Sequence, residues 1–137
     1  MNLTNRTEIA VKFSEVDQLQ MVWHGHYVRY FEDGRESFGK EFKLSYLNMY
    51  DKGYVVPIVH VDCHYKSSLK YGDIAIIETT FIPTPAAKII FHYKIYNKST
   101  GELAATGETT QVFLNDHGDL QLNNPSFFEQ WKSEKGI

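Results

Sequence analysis

The sequence predicts an α+β fold in which a curved antiparallel sheet wraps around one long central helix. Apolar residues recur with helical spacing in one long segment, and they alternate with polar residues in five other segments. Aromatic residues make up 15% of the chain, and their flat rings pack well on the pleated face of a sheet. A helix with strands before and after it is best buried by a sheet that covers its apolar side.

The long helix is predicted at about residues 25–40. One of its sides is apolar and largely aromatic, formed by Tyr27, Tyr30, Phe31, Gly34 and Phe38. The opposite side is charged and carries Arg29, Glu32, Asp33 and Glu36. Because so bulky an aromatic stripe has to be buried, we expect it to face the sheet.

Five strands are predicted around this helix. The first, at residues 7–14, alternates Ile9, Val11 and Phe13 with polar neighbours. The other four are predicted to follow Gly53 as a meander, at residues 54–65, 73–82, 88–97 and 102–114. Two shorter helices complete the prediction, one within residues 42–52 and one that begins near Asn124.

Whole-chain properties exclude several classes of protein. At 137 residues, the chain is expected to form one domain over residues 1–137. A net charge of -3 without a basic run gives no support for nucleic-acid binding.

The one cysteine, Cys63, cannot form an internal disulfide and is expected in the core. Residues 1–13 lack the apolar stretch of a secretion signal, and no apolar run approaches the roughly 18 residues of a membrane span, so we expect a cytoplasmic protein.

The loop at residues 14–27 carries the residues most suited to chemistry. Asp17 places a carboxylate shortly before the predicted start of the long helix. The first turn of a helix has free N–H groups and a partial positive charge, which stabilise a carbonyl oxygen as it becomes an oxyanion. A carboxylate near that end can attack a thioester carbonyl directly, or deprotonate a water molecule that attacks it.

Four residues of this loop match the motif of a known family. Asp17, Val22, His24 and Tyr27 occupy its Asp, Val, His-or-Tyr and Tyr positions. Six residues separate Asp17 from His24, and two separate His24 from Tyr27, as the motif requires. The chain therefore resembles the hotdog-fold acyl-CoA thioesterases of the 4-hydroxybenzoyl-CoA thioesterase family.

This resemblance implies an enzyme that hydrolyses an acyl-CoA or acyl-carrier-protein thioester to a free acid and a thiol. It implies that Asp17 is the nucleophile or the general base, and that the backbone N–H of His24 polarises the thioester carbonyl while its side chain helps to hold the substrate or the water. Tyr27 would line the pocket, and Ser67 and Ser68 would contact the pantetheine arm. The family also implies a homodimer or homotetramer with active sites between subunits and no metal or redox cofactor.

Other interpretations of the same residues remain open. Asp17 could be a turn residue only, and His24 an ordinary capping or packing histidine. Glu32 is expected on a solvated side of the helix, although other hotdog thioesterases have a catalytic Glu in this helix. The domain could instead bind an acyl-CoA without turning it over, or be a hotdog hydratase. The chain departs from the family's pattern at Val16, Gln20 and Ser68.

Several histidines suggest a metal site, but their spacing argues against one. His60 and His64 lie in a predicted strand, where four residues span about 13 Å. His24 and His26 point about 200° apart if both are helical. We therefore expect no metal site in this chain. His60 and His64 share a face with Asp62, which predicts the outer face of the sheet or a subunit contact.

Overall fold

The computed structural model describes residues 3–137. Its strands are β1 (Thr4–Ala10), β2 (Ile58–Tyr65), β3 (Ile74–Ile82), β4 (Lys88–Asn97) and β5 (Leu103–Val112). Its α-helices are α1 (His26–Phe42), α2 (Tyr46–Asp51) and α3 (Ser126–Lys135). Every predicted helix and strand has a counterpart among these elements, and the boundaries differ most at β1 and β2.

The strands form an antiparallel sheet in the order β1-β3-β4-β5-β2. The predicted meander is correct for β3, β4 and β5 but wrong for β2, which pairs with β5 at the far edge of the sheet. The connection from β2 to β3 spans residues 66–73, longer than the roughly two to five residues of a hairpin loop. The chain therefore crosses from one edge of the sheet towards the other instead of turning back on itself.

The aromatic side of α1 packs against the sheet, as predicted. All five residues of the predicted stripe are buried. Phe31 stacks on Tyr93 with the ring centroids 4.4 Å apart, and Phe38 packs edge-on against Phe91 at 4.9 Å. Burial of each large aromatic side chain stabilises the fold by about 1.5–3 kcal/mol.

Two glycines allow α1 to approach the sheet closely. A Cβ atom on Gly34 of α1 would lie 2.8 Å from Ile77, and one on Gly107 of β5 would collide with the ring of Phe31. Gly107 thus faces the helix. Because side chains alternate along a strand, its neighbour Glu108 points to the outer face of the sheet.

The first and second strands begin or end differently from the prediction. β1 stops at Ala10 and is followed by a 3-10 turn at Phe13–Glu15. Val11 is buried as expected, but Phe13 is 74% exposed because the turn carries it out of the sheet. β2 starts later than predicted, directly after Pro57, whose nitrogen has no proton to donate to a neighbouring strand.

The third helix covers the end of α1. Phe128 and Trp131 of α3 are buried, and the indole N–H of Trp131 donates to the carbonyl of Phe42 at 2.7 Å. This contact joins the C-terminal helix to the last turn of α1. Of the helices between residues 3 and 137, none combines the length and the apolar character needed to cross a membrane.

Candidate active site

Asp17 lies in a tight turn between the 3-10 turn and α1. Its N–H donates to the carbonyl of Met21, and its carbonyl accepts from the N–H of Gln20, both at 2.9 Å. Its Oδ1 accepts from the N–H of Leu19 at 2.8 Å, whereas Oδ2 accepts no hydrogen bond from residues 3–137. Gln20 has φ 64°, a left-handed conformation that glycine adopts most easily.

Glu15 fixes this turn to the long helix. The side chain is buried, and its Oε1 accepts from the N–H of Lys12 at 2.8 Å and from the hydroxyl of Tyr30 at 3.0 Å. Its carbonyl accepts from the N–H of Trp23 at 2.9 Å. Burial and the adjacent carboxylate raise the pKa of Tyr30, so the hydroxyl stays a donor. Sequence reasoning missed Glu15, because only its partner in α1 distinguishes it from a solvated loop residue.

We expect Tyr30→Phe to lower the free energy of unfolding by about 1–3 kcal/mol, because the buried carboxylate of Glu15 loses a hydrogen-bond donor. Urea denaturation followed by circular dichroism measures this change. Tyr46→Phe removes the hydroxyl of an exposed tyrosine and should change stability by less than about 0.5 kcal/mol. Equal effects of the two variants would show that Glu15 does not depend on Tyr30.

The start of α1 presents free N–H groups. Gly25 is the N-cap and has no side chain to bind them. The N–H of His26 donates to the carbonyl of Trp23 at 2.9 Å, and that of Tyr27 makes a longer bond, 3.4 Å, to the carbonyl of His24. In the part of the chain that the structure describes, the N–H groups of His24 and Gly25 have no acceptor. Two donors at the positive end of a helix can bind a carbonyl oxygen or an anion.

A cleft of about 300 Å³ lies at this helix start. It brings together four of the residues that the sequence predicted for the site: His24, Tyr27, Ser67 and Ser68. Asp17 is outside the lining, in the preceding turn, and is hydrogen-bonded to Met21, which is part of the lining. The predicted residues therefore converge on one region of the fold, from chain segments about 40 residues apart.

Tyr65 and Lys66 line the same cleft and were missed by the sequence analysis. The hydroxyl of Tyr65 donates to the carbonyl of His24 at 2.8 Å, and its ring packs edge-on against Tyr27 at 5.1 Å. Partial burial, with Cys63 beside it, raises the pKa of Tyr65 to about 12, so the hydroxyl keeps its proton at neutral pH. These contacts fix the end of β2 to the start of α1.

The side chains of the other predicted residues differ in solvent exposure and hydrogen bonding. The hydroxyl of Ser67 donates to the carbonyl of Leu103 at 3.1 Å, whereas Ser68 is exposed. The His24 ring is exposed and packs against Trp23 with the centroids 4.9 Å apart. Cys63 is half-buried against the core, and burial raises the pKa of its thiol. Ser68 and the His24 ring therefore remain able to contact a ligand.

Glu32 is exposed on α1, as predicted, and lines a second cleft of about 600 Å³ between α1, α2 and the sheet. Arg35 and Glu36 form its charged side. Its apolar lining includes Leu44, Leu47, Met49, Ile89 and Phe91. No local pattern predicts this cleft, since α2 and the sheet meet α1 only in the folded chain.

Comparison with known proteins places this fold among thioesterases. The family model of the thioesterase-like superfamily matches residues 11–131. The putative acyl-CoA thioesterase YneP of Bacillus subtilis (strain 168) is 28% identical over 127 residues, which cover 93% of this chain and 91% of that protein.

Solved structures share the fold of this chain. DHNA-CoA thioesterase from Staphylococcus aureus superposes with a TM-score of 0.86 at 24% identity, covering 97% of this chain and 91% of that one. A mutant of 4-hydroxybenzoyl CoA thioesterase complexed with 4-hydroxybenzoyl CoA superposes with a TM-score of 0.80 at 17% identity, covering 93% and 97%. These likenesses confirm the predicted hotdog fold. Since the family model covers most of its length, the chain belongs to the thioesterase-like superfamily.

Proposed function

We propose that this chain is a thioesterase that hydrolyses an acyl-CoA or acyl-carrier-protein thioester to a free acid and a thiol. The observation that carries the proposal is the pair of N–H groups on His24 and Gly25, which have no acceptor within residues 3–137 and lie at the positive end of α1. A thioester carbonyl oxygen bound there is stabilised as negative charge develops on it. The superfamily and the relative from Bacillus subtilis support the same reaction class.

Asp17 supplies the attacking group or the base in this proposal. As a nucleophile, its carboxylate oxygen bonds to the carbonyl carbon, the C–S bond breaks with release of the thiolate, and water then hydrolyses the resulting anhydride. As a general base, it takes a proton from a water molecule whose oxygen attacks the same carbon. Either route ends in a free acid and a thiol. The Oδ2 atom, which is free of hydrogen bonds from residues 3–137, is the oxygen available for this step.

The cleft residues bind the thiol half of the substrate. Ser68 contacts the pantetheine arm. Ser67 holds the segment that contains Ser68 in place, because its hydroxyl donates to the carbonyl of Leu103. Lys66, exposed at the same cleft, provides a cation for a phosphate group of CoA or of a carrier-protein arm. Tyr27 lines the pocket beside the oxyanion site.

The functional unit we propose is a cytoplasmic homodimer or homotetramer of a domain formed by residues 1–137. β2 is an edge strand, and apolar side chains on it are exposed: Val59 by 59% and Val61 by 42%. An exposed apolar edge strand invites pairing with another chain. A second copy paired along β2 would bring its own residues close to the cleft at Tyr65.

Val61→Lys is expected to shift the protein towards monomer, because a charge is placed where the partner chain packs. Size-exclusion chromatography with light scattering measures the mass. Leu122→Lys is the matched control, since Leu122 is 83% exposed and lies outside β2. An unchanged oligomer in Val61→Lys would exclude this edge as the interface.

A second candidate function is binding of an acyl-CoA without turnover. The hydrogen bond from the N–H of Leu19 to Asp17 Oδ1 favours it, because this bond is what a residue with only a turn role would make. Under this alternative, calorimetry detects acyl-CoA binding to the wild-type protein, and no thiol is released.

A thiol-release assay separates the two functions. The wild-type protein is incubated with short, medium, long and aromatic acyl-CoAs, and free thiol is detected with a chromogenic reagent. We expect release from at least one class, well above the rate without protein. Binding without release from any of them would overturn the thioesterase proposal and support the binding function.

A further inference from the structure

A cluster of histidines and carboxylates lies on the outer face of the sheet, away from α1. Asp62 of β2 is the register partner of Glu108 of β5, and Glu108 is also the register partner of His92 of β4. The three side chains therefore form one row across three neighbouring strands. His60 and His64 flank this row on β2, each two residues from Asp62. The sequence predicted the outer face or a subunit contact for His60 and His64, and in the structure they lie on the outer face.

The ligand atoms of three of these residues are close enough to share one ion. Single nitrogen or oxygen atoms of His60, Asp62 and Glu108 all lie within 4.8 Å of one another. His60 Nε2 is 3.1 Å from Asp62 Oδ2 and 4.0 Å from Glu108 Oε2. Ligands at about 2.0–2.2 Å from a tetrahedral metal ion are about 3.4 Å apart, so these two distances bracket the required spacing.

The charges of the row favour a cation. Asp62 and Glu108 are directly opposite each other on neighbouring strands, an arrangement in which like charges repel. Lys94 lies on the same face, but its register partner is Glu78, which is also bonded to Arg6. A divalent ion between the two carboxylates would remove their repulsion and use both as ligands.

His92 and His64 each contact one of the two carboxylates from outside the group of His60, Asp62 and Glu108. His92 Nε2 is 2.7 Å from Glu108 Oε1, the oxygen other than the one nearest His60. His64 Nε2 is 3.9 Å from Asp62 Oδ1. Metal-binding carboxylates are usually held by such a second contact, which orients the coordinating oxygen.

We propose that His60, Asp62 and Glu108 bind one divalent transition-metal ion per chain, and that His92 orients Glu108 for it. Imidazole with two carboxylates is a ligand set suited to Zn²⁺, and water completes the coordination because the three side chains are partly exposed. This proposal departs from the expectation that the chain has no metal site. That expectation considered the histidines along the chain, whereas these ligands come from two paired strands. The site is separate from the cleft at the start of α1, which lies on the helix side of the sheet.

The probe is Zn²⁺ itself, titrated by calorimetry into untagged, chelator-treated protein in a buffer that does not bind metals. We expect one Zn²⁺ per chain in the wild-type protein and a rise in Tm when Zn²⁺ is added. His92→Gln should weaken binding by about 10–100-fold, as loss of an outer ligand contact does, and the double variant His60→Gln with Glu108→Gln should weaken it further. Circular dichroism confirms that these surface variants fold.

His117→Gln is the matched control, because His117 is an exposed histidine 3.7 Å from the carboxylate of Asp116, outside this cluster. It should bind Zn²⁺ as the wild-type protein does. Thiol release by the double variant should also match the wild type. The proposal is overturned if wild-type protein binds no Zn²⁺ below millimolar concentration, or if the double variant binds it as tightly as His117→Gln.

Discussion

Asp17→Asn is expected to lower kcat for acyl-CoA hydrolysis by about 10²–10⁴-fold, the range that a positioned acid or base group typically contributes. The amide oxygen of asparagine can still accept the hydrogen bond from the N–H of Leu19, so the turn keeps its shape. Only the charge and the basicity of the side chain are lost. Steady-state assays with the best substrate of the thiol-release screen measure the change, and KM should move much less than kcat.

Two further variants separate the chemistry of Asp17 from its role in the turn. Asp17→Ala removes the acceptor for Leu19 as well as the charge, so it should lose activity equally and also lose some stability. Asp116→Asn changes an exposed aspartate elsewhere and should leave kcat unchanged. If Asp17→Asn turns over substrate at nearly the wild-type rate while Asp17→Ala is inactive, Asp17 is a turn residue and not a catalytic one.

Phe38→Ala is expected to lower the free energy of unfolding by about 3–5 kcal/mol, because it removes a large ring from the closed centre of the core. The side chain is fully buried between α1 and the sheet, with ring centroids 4.9 Å from Phe91 and 4.6 Å from Phe42. This loss is a large part of the roughly 5–15 kcal/mol by which a domain is usually stable. Urea denaturation measures it.

Phe13→Ala is the control for this prediction. Phe13 is the same residue type but is 74% exposed, so its removal should change stability by less than about 0.5 kcal/mol. The sequence pattern alone predicts that Phe13 and Phe38 both face the core. A cost of several kcal/mol for Phe13→Ala in an isolated chain would contradict its exposed position.

The sequence predicted the part of the candidate active site that depends on local spacing, but not the part that depends on contacts between distant segments. The spacing of Asp17, His24 and Tyr27 is local, and it identified the loop and the helix start that follows it. Tyr65 could not be found in this way, because its hydrogen bond to His24 spans 41 residues. It requires that the last residue of β2 meet the first turn of α1, and no pattern in either segment specifies that meeting.

The same limit applies to the proposed metal site at His60, Asp62 and Glu108. Considered along the chain, His60 and His64 are too far apart to share an ion, and that geometric argument remains sound. Glu108 joins His60 and Asp62 only because β2 pairs with β5 in one register. The predicted meander would have placed β3 beside β2 and separated these groups.

The sequence by itself determined the helices, the strands and the inner side of α1, because period and capping depend on residues a few positions apart. It also determined the motif around Asp17 through its spacing. Tertiary structure alone decided that β2 lies next to β5, that Glu15 is buried against Tyr30, and which histidines meet carboxylates. These features depend on strand order and register, which are set by the packing of the whole sheet on α1 and not by any local pattern.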